Sequence, residues 1–471
     1  MPRHPFIVKT AETIELFRML RPGEKVIAGV SGGPDSTAML QALNELKSAY
    51  EISLVVCHLH HGLRYEAEAE MMMVRDMAEE LGLLFFGKRV DVAAAAKHRN
   101  LGVQEAARQV RYEFYEEIRQ SQGGHKIAVG HTADDQAEEV LMRLIRGSGP
   151  AGLAGIPPVR DGTVVRPIIG STRAEVLNYL RSLGSTYAED VSNRNEKYLR
   201  ARVRARLLPL LKDSFNPDMT ATLVRTAGIM AEAHDFLAQE ALKRIPELAV
   251  PAPHGAGIRL DVPRLLKEHP AIQTEIIRQA LKSVKGDLRG LGYVHIQAVR
   301  GLLDTSPGEK KLCLPAGVMV IKSYDHLFIR ADSGSATQDF AYPAVIPGRV
   351  EIPDSGAALS FVVSADRPRD PLPERSNQVV LDYDRLPSPL EVRNFRPGDR
   401  ISPMGMGGTV KLKKLFIDLK VPRDDRKSLP LLAYGGEILW VPGLRVSDRI
   451  KMTSNTTNFI VSRYFPSSTT D

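Results

Sequence analysis

The chain has 471 residues, enough for roughly two to four domains, and its hydrophobic (43%) and charged (25%) fractions are ordinary for a globular protein. Its two cysteines, Cys57 and Cys313, exclude a disulfide framework and a four-cysteine zinc site, and they suit a reducing compartment. The sequence has neither a bilayer-spanning apolar stretch nor a signal-peptide core, so we expect a cytoplasmic protein with no membrane partner. The net charge of +7 is a mild indication of a polyanionic partner.

Between residues 25 and 169, short apolar runs alternate with longer amphipathic segments. The predicted strands are 25–30, 52–59, 83–90, 127–130 and 164–169. The predicted helices are 34–48, 66–81, 104–120, 133–146 and 173–183. This alternation predicts an α/β fold with a doubly wound, mostly parallel five-stranded sheet, in which ligands bind where strands end and helices begin.

The rest of the chain has a different pattern. A basic helical stretch at 196–212 is followed by mostly helical sequence up to about residue 303, a candidate hairpin at 311–329 and a small polar linker at 333–338. Short strands dominate the remainder. We therefore predict an α/β catalytic domain at 1–213, a mainly helical domain at 214–335, and a linker with a small α+β domain at 336–471.

A glycine-rich loop follows the first predicted strand and opens the first predicted helix of this domain. It consists of Ser31, Gly32, Gly33, Pro34, Asp35 and Ser36. Glycines let backbone N–H groups approach a phosphate, and the helix N-terminus adds partial positive charge. The string is neither a Walker A loop nor a dinucleotide fingerprint. Because a carboxylate beside phosphates repels them unless a cation lies between, Asp35 predicts Mg²⁺ together with ATP.

A second cluster of polar residues follows the fourth predicted strand. His131 stands at the strand end, and Asp134, Asp135 and Glu138 open the next helix, with Asp135 and Glu138 on one helix face. If this strand lies beside the first one, the cluster faces the phosphate loop. The alternative is that Asp134 and Asp135 only cap the helix and complement its dipole.

The phosphate loop resembles the signature of the N-type ATP pyrophosphatases, also called the PP-loop superfamily. Within it, the ordered series of motifs is similar to that of the tRNA(Ile)-lysidine synthetase family. The matching segments are 61–64, 105–108, 111–112, 130–138, 143–149, 166–168, 189–193, 200–204, 396–400 and 411–415. Two positions depart from the family pattern: His60 stands where an asparagine is usual, and Ala201 also replaces an asparagine.

The resemblance implies that ATP adenylates the C2 oxygen of the wobble cytidine in an isoleucine tRNA with a CAU anticodon, and that L-lysine then displaces AMP to give lysidine. The residues it points to are grouped by role. Asp35 and Asp135 would bind Mg²⁺; Asp134 or Glu138 would bind and help deprotonate lysine, with His131 as a further candidate base; Arg108 and Arg111 would contact the α-phosphate or the flipped base; and Arg200, Arg202, Arg204, Arg396, Lys411, Lys413 and Lys414 would contact RNA phosphates. Lys411 and Lys413 are expected on one side of a strand. A homodimer is left open.

Three other functions were weighed. A tRNA thiolase of the same superfamily needs reactive cysteines, whereas Cys57 and Cys313 read as core residues. An amidotransferase needs an ammonia source, for which no glutaminase nucleophile is visible. A non-catalytic RNA-binding module would explain the basic C-terminal segment but leave the phosphate loop and Asp134–Asp135 without a purpose.

Overall fold

The structure is a computed structural model, and it describes residues 3–62, 67–188, 199–251, 257–304, 308–331, 339–353, 356–365, 377–419, 421 and 425–466. The chain forms two compact units, residues 1–236 and 237–471, each described here by itself. The predicted linker at 333–338 and the motif at 189–193 lie outside the described residues, as do positions 63 and 64 of the motif at 61–64. Within the described residues, no helix is long and apolar enough to cross a membrane.

The first unit is built on a mostly parallel sheet, as predicted. Its strands are β1 Lys25–Gly29, β2 Ser53–His60, β3 Leu84–Arg89, β4 Lys126–Val129, β5 Val159–Arg160 and β6 Val164–Val165. They lie in the order β3-β2-β1-β4-β6-β5. The predicted strand number of five is wrong: the sheet has six strands because β5 turns back and pairs antiparallel with β6. A strand of two residues is too short to produce a readable sequence period.

Helices cover both faces of this sheet. They are α1 Pro5–Leu16, α2 Pro34–Leu46, α3 Ala67–Glu80, α4 Val92–Arg99, α5 Val103–Ser121, α6 Ala133–Ile145, α7 Pro150–Leu153 and α8 Arg173–Leu183. Three of these helices, α1, α4 and α7, were not predicted from the sequence. Alternate residues of β1 enter different cores: Val26 and Ala28 pack in one cluster and Ile27 in the other. Burial of both strand faces is what makes the strand apolar throughout.

One further helical stretch completes the part of the first unit that bears on the site. It consists of α9 Leu199–Arg202, a π-helical turn at Val203–Leu207 and α10 Leu208–Ser214, and it is followed by α11 Met219–Leu248. Val203 and Leu208 pack against Ala137 and Val140 of α6 in a shared apolar cluster. This packing sets the basic stretch beside the helix that carries the acidic residues.

The second unit contains more β-structure than the sequence predicted. A five-stranded sheet has the order β7-β8-β11-β10-β9, all antiparallel. Its elements are β7 Ala249–Pro251, β8 Ile258–Asp261, α12 Val262–Leu265, α13 Pro270–Lys285, α14 Tyr293–Gly301, β9 Glu309–Leu314, β10 Val318–Ser323 and β11 His326–Ala331. The sequence predicts only one hairpin of this sheet, at 311–329. The segment 214–335 therefore combines the helices α11 to α14 with a sheet that is larger than predicted.

Two sheets make up the rest of the second unit. A seven-stranded sheet has the order β12-β16-β19-β20-β17-β18 with β21 on β20, and a four-stranded sheet has the order β13-β14-β22-β15. The strands are β12 Ala341–Pro343, β13 Gly348–Ile352, β14 Ala357–Ser364, β15 Gln378–Asp382, β16 Glu391–Arg393, β17 Arg400–Ile401, β18 Val410–Lys411, β19 Leu431–Tyr434, β20 Glu437–Val441, β21 Arg445–Val446 and β22 Phe459–Phe465. The helices are α15 Leu412–Asp418, α16 Asp425–Ser428 and a 3-10 turn at Asp448–Ile450. The division of the chain into three domains, at 1–213, 214–335 and 336–471, remains a proposal.

Gly130, directly after β4, touches the backbone of the phosphate loop. A Cβ built there would lie 2.9 Å from the carbonyl oxygen of Asp35 and 2.9 Å from the amide nitrogen of Ser36. The Gly130→Ala substitution must therefore push the loop away, and we expect ATP affinity to fall at least about tenfold. ATP binding measured by calorimetry checks this, with Gly228→Ala as the control because its Cβ meets no heavy atom within 4 Å. Unchanged ATP affinity in Gly130→Ala would contradict the close approach.

Candidate active site

The loop between β1 and α2 is braced by its own hydroxyl groups. Ser36 Oγ accepts the Ser31 amide at 3.1 Å and donates to the Gly33 carbonyl at 3.0 Å. Gly32 has φ +89°, a conformation that favours glycine. No side chain caps the first turn of α2, and Pro34 occupies its first position. The loop therefore presents a helix N-terminus with uncapped amides, which is the general form of an anion site.

Asp35 is the carboxylate of this loop, and its charge is incompletely offset. Arg173 Nη1 donates to Oδ2 at 2.9 Å, whereas Oδ1 is buried and has no partner among the described residues. Burial raises the pKa of Asp35 to about 6; Arg173 opposes that rise, and nearby Asp135 adds to it. The site therefore holds a carboxylate whose ionised form it stabilises poorly.

Asp135 has a different environment one element away, at the start of α6. Its Oδ2 accepts the Thr132 amide at 3.0 Å and the Thr132 hydroxyl at 3.2 Å, which forms a capping box. Its Oδ1 accepts Arg200 and Arg204, each at 3.2 Å. Burial alone would raise the pKa of Asp135, but Arg200, His131, the Thr132 amide and Arg204 together hold it below its usual range. Asp135 does cap the helix, and the two arginines occupy its other oxygen.

Glu138 is the most deeply buried acid of the cluster, with 1% of its side chain exposed. Arg200 Nε donates to its Oε2 at 3.0 Å, Arg204 Nη2 donates to the same oxygen at 3.0 Å, and Arg204 Nε bonds Oε1. Two guanidinium groups thus offset one buried carboxylate. Such charge-assisted bonds are required because a buried charge without them is strongly unfavourable.

Asp134, the second residue of α6, contacts the N-terminus of α8. It accepts the backbone amide of Arg173 at 2.7 Å, and Lys212 Nζ lies 3.4 Å from its other oxygen. Unlike Asp135, it makes no capping bond within α6. Its side chain is 20% exposed, so the carboxylate keeps access to solvent and to a small ligand.

A π-turn connects the arginine pair to Lys212. In the turn at Val203–Leu207, the Leu208 amide donates to the Val203 carbonyl, five residues earlier. Pro209 follows directly. Proline has no N–H to donate and its ring crowds the carbonyl four residues before it, so a widened turn at this place accommodates it without a break in the helix.

The wider turn also changes which residues share a face. In an uninterrupted α-helix, residues eight apart differ by about 80° around the axis, because each residue turns about 100°. One wide turn takes up roughly one extra residue, so Lys212 returns close to the line of Arg204. Both cations accordingly reach acids of α6: Arg204 contacts Glu138, and Lys212 contacts Asp134.

These elements enclose a cavity of about 140 Å³. Its walls carry acids, cations and an apolar patch formed by Leu208 and Pro209. The lining residues are Asp35, Thr132, Asp134, Glu138, Arg173, Arg204, Leu208, Pro209 and Lys212. Arg173, Lys212 and the apolar patch were not predicted from the sequence. The spacing of eight residues between Arg204 and Lys212 does not indicate a shared helix face unless the π-turn is known.

The remaining predicted residues of the first unit do not line this cavity. Burial holds the pKa of His131 below its usual range, and its Nδ1 is buried with no partner within the described residues. Arg111 Nη2 lies 3.0 Å from His61 Nε2. The Arg108 guanidinium lies 5.4 Å from the centre of the Tyr112 ring. Arg202 is exposed on the outer side of α9.

In the second unit, the predicted basic residues are exposed, but one expectation about them is wrong. Lys411 is the last residue of β18, whereas Lys413 and Lys414 lie on α15, so Lys411 and Lys413 do not share a strand face. The reason is readable in retrospect: Leu412, Leu415 and Phe416 are buried at helical spacing. Arg396 is half-exposed, with Glu391 at 3.6 Å.

Family models match three segments of the chain: the PP-loop domain at residues 7–211, the TilS substrate binding domain at 260–328 and the TilS substrate C-terminal domain at 390–462. Among curated proteins, the chain is 36% identical over 466 residues to the tRNA(Ile)-lysidine synthase of Caldanaerobacter subterraneus subsp. tengcongensis, covering 98% of each chain. It is 37% identical over 461 residues to that of Symbiobacterium thermophilum, covering 94% of each.

Among solved structures, the U34-tRNA thiolase of Methanococcus maripaludis is 20% identical, with a TM-score of 0.40 over 48% of this chain and 79% of that one. The identities above 30% to curated relatives extend over nearly the whole length of both proteins. The chain belongs to the tRNA(Ile)-lysidine synthase family.

Proposed function

We propose that this chain ligates L-lysine to the wobble cytidine of an isoleucine tRNA with a CAU anticodon, with ATP bound at the phosphate loop and lysine bound in the cavity beside it. The activity is that of a tRNA(Ile)-lysidine synthase, an ATP-dependent ligase. The observation that supports the lysine assignment is the lining of the cavity, which combines carboxylates, cations and an apolar patch next to Asp35.

The chemistry needs two steps. The C2 oxygen of cytidine is a poor leaving group until it carries AMP, so that oxygen first attacks the α-phosphorus of ATP and pyrophosphate departs. The lysine ε-amine then attacks C2, and AMP leaves. The uncapped amides of α2 and the hydroxyl of Ser31 suit the negative charge that develops on the departing pyrophosphate.

Lysine fits the cavity by chemistry. Its ε-ammonium group would bind Asp134, whose carboxylate is the most accessible of the acids at α6. Its methylenes would pack on Leu208 and Pro209. Its α-carboxylate would bind the cationic side, Arg173 and Lys212. Because the amine must lose a proton before it attacks, a base is needed. Asp134 and the neutral His131 remain candidates for it. Both Asp134 and Glu138 already accept hydrogen bonds, but Asp134 is 20% exposed, whereas Glu138 is 1% exposed and held by two guanidinium groups.

Mg²⁺ is proposed on the same grounds. The partnerless, buried Oδ1 of Asp35 and its raised pKa fit a carboxylate that lacks a cation. Both oxygens of Asp135 already accept hydrogen bonds, so Asp135 could join only after Arg200 and Arg204 release it. Among the described residues, no three acids, histidines or cysteines are grouped to hold an ion alone, which agrees with Mg²⁺ shared with ATP phosphates. The ion would offset charge on the departing pyrophosphate.

The thiolase alternative is weak on the chemistry of the cysteines. Burial raises the pKa of Cys57 to about 12, so its thiol stays protonated and unreactive at neutral pH. The expectation that Cys313 is a core residue is wrong: it is exposed on β9 of the other unit, because its side chain lies on the solvent-facing side of that strand. An RNA-binding module without catalysis leaves the cavity of mixed charge unexplained. We further propose that the segments 214–335 and 336–471 bind the body of the tRNA, which agrees with the substrate-binding description of the family model at 260–328.

Incubation of the protein with ATP, Mg²⁺, labelled lysine and an isoleucine tRNA bearing a CAU anticodon tests the function. We expect label in the RNA together with AMP and pyrophosphate. RNA binding without ATP consumption would favour the module, and sulfur incorporation without lysine transfer would favour the thiolase.

Asp134→Asn tests the lysine site. The amide oxygen can still accept the Arg173 backbone N–H, so the fold should persist, but the charge that attracts the ammonium is gone. We expect the KM for lysine to rise about 10- to 100-fold, with the KM for ATP changed less than about threefold. Asp76→Asn is the matched control, because that side chain is 59% exposed and lies outside the cavity lining. An unchanged lysine KM would remove Asp134 from the ammonium site.

Asp35→Asn tests whether the poorly stabilised charge of this carboxylate destabilises the folded protein. Because the pKa of Asp35 is raised in the folded state, the wild type loses stability as pH rises from about 4 through about 6, and the asparagine variant does not. Without ligands, the variant should be more stable by about 1–3 kcal/mol at about pH 7.5 and no more stable at about pH 4, while ligase activity is lost. Thermal unfolding at both pH values measures this, with Asp76→Asn, at an exposed aspartate of α3, as control. A variant that is less stable at both pH values would contradict a destabilising charge on Asp35.

A further inference from the structure

Three arginines converge on Tyr112 of α5, outside the cavity. The guanidinium of Arg160, on the edge strand β5, lies 4.4 Å from the centre of the Tyr112 ring, and that of Arg108 lies 5.4 Å from it. Arg166 follows β6 and also interacts with Tyr112. The cluster thus joins one turn of α5 to the antiparallel hairpin that the sequence did not reveal.

Arg166 is the unusual member. It is 1% exposed, donates one bond to the Pro157 carbonyl, and its buried Nε has no partner among the described residues. Burial is the largest influence that lowers its pKa, and the charges of Arg160 and Arg108 act in the same direction. A buried guanidinium beside two others is unfavourable unless an anion completes the site.

The described residues offer little negative charge to complete it. Within the described part of the chain, Asp161 is the one carboxylate within 4 Å of these three guanidiniums, at 3.7 Å from Arg160, and it is 87% exposed. This contrasts with Arg200 and Arg204, each of which contacts the buried Glu138 and the largely buried Asp135. The Tyr112 ring face attracts the cations and holds them in place while their N–H groups stay available.

The cluster adjoins the reaction centre. The charges of Arg166 and Arg108 both contribute to the low pKa of His131, which directly follows Gly130 at the end of β4. None of the three arginines lines the cavity beside the loop. The place of Arg160 on the edge strand β5, together with the exposed Arg108 of α5, gives access to a long ligand that passes along the outside of the sheet. ATP phosphates are instead expected at the N-terminus of α2.

We propose that Arg108, Arg160 and Arg166, arranged around Tyr112, bind the phosphodiester backbone of the tRNA next to the nucleotide that reacts. Guanidinium groups suit this role because they bind phosphate oxygens through paired N–H donors. The inference rests on the proposed function for the identity of the polyanion. Phosphate is also part of ATP, so the test separates the two sources.

Arg160→Ala is the informative variant, because Arg160 lies outside the proposed catalytic machinery. Binding of the tRNA to the full chain is measured across a range of salt concentrations without ATP. We expect the dissociation constant for tRNA to rise about tenfold and the slope of log K against log salt to fall by about one. In the ligase assay, the KM for tRNA should rise while the KM values for ATP and lysine and kcat stay within about twofold. Arg160→Lys should recover part of the binding.

Arg75→Ala is the matched control, since it removes the same charge from an exposed ion pair with Asp76 in the same unit. Tyr112→Leu, which removes the ring that holds the guanidiniums, should weaken tRNA binding in the same direction. The inference is overturned if Arg160→Ala matches the control in tRNA affinity and salt slope, or if the KM for ATP rises and tRNA binding does not. If the wild type binds tRNA through Arg160 but forms no lysidine, the proposed function fails while the RNA contact stands.

Discussion

The buried carboxylate of Glu138 is the constraint on which the site depends. A charge that is 1% exposed must be offset by well-placed donors, and Arg200 and Arg204 supply them from a helix more than 60 residues later in the chain. That requirement fixes the basic helix against α6. With this anchor in place, the π-turn before Pro209 decides what else the helix presents, and it brings Lys212 to Asp134. A structural ion pair thereby shapes the ligand cavity.

The two loops that meet at the site treat their carboxylates in opposite ways. Asp135 receives donors on both oxygens, and its pKa is held low, whereas Asp35 has one hydrogen-bond partner among the described residues and a pKa raised to about 6. Neighbouring acids with environments that separate their protonation behaviour are typical of active sites. Asp35 is the less stabilised of the two. The loop that would bind the triphosphate therefore holds a poorly stabilised carboxylate, whose ionised form a bound cation would stabilise.

Local features of the site were readable in the sequence, and contacts between distant segments were not. The strand-loop-helix at Ser31–Ser36 is visible because apolar run, glycines and helix follow one another directly. The capping role of Asp135 is likewise local. The partners of Glu138 were assigned to RNA in the sequence analysis, because nothing local shows that Arg200 and Arg204 face α6. The six-stranded sheet was undercounted because β5 has two residues, and Lys413 was placed on a strand although Leu412, Leu415 and Phe416 form a helical stripe.

Arginine serves different purposes in this chain, and the local density of carboxylates decides which. Arg393 of the second unit is fully buried and bonds both oxygens of Asp399, so the acid of the string at 396–400 is structural even though its neighbour Arg396 is half-exposed. Arg204 likewise satisfies a buried acid. Around Tyr112, the same side chain is gathered with almost no acid nearby. Because a buried or crowded guanidinium is costly without a counter-charge, the first arrangement holds the fold together, and the second points to an anion that the described residues do not supply.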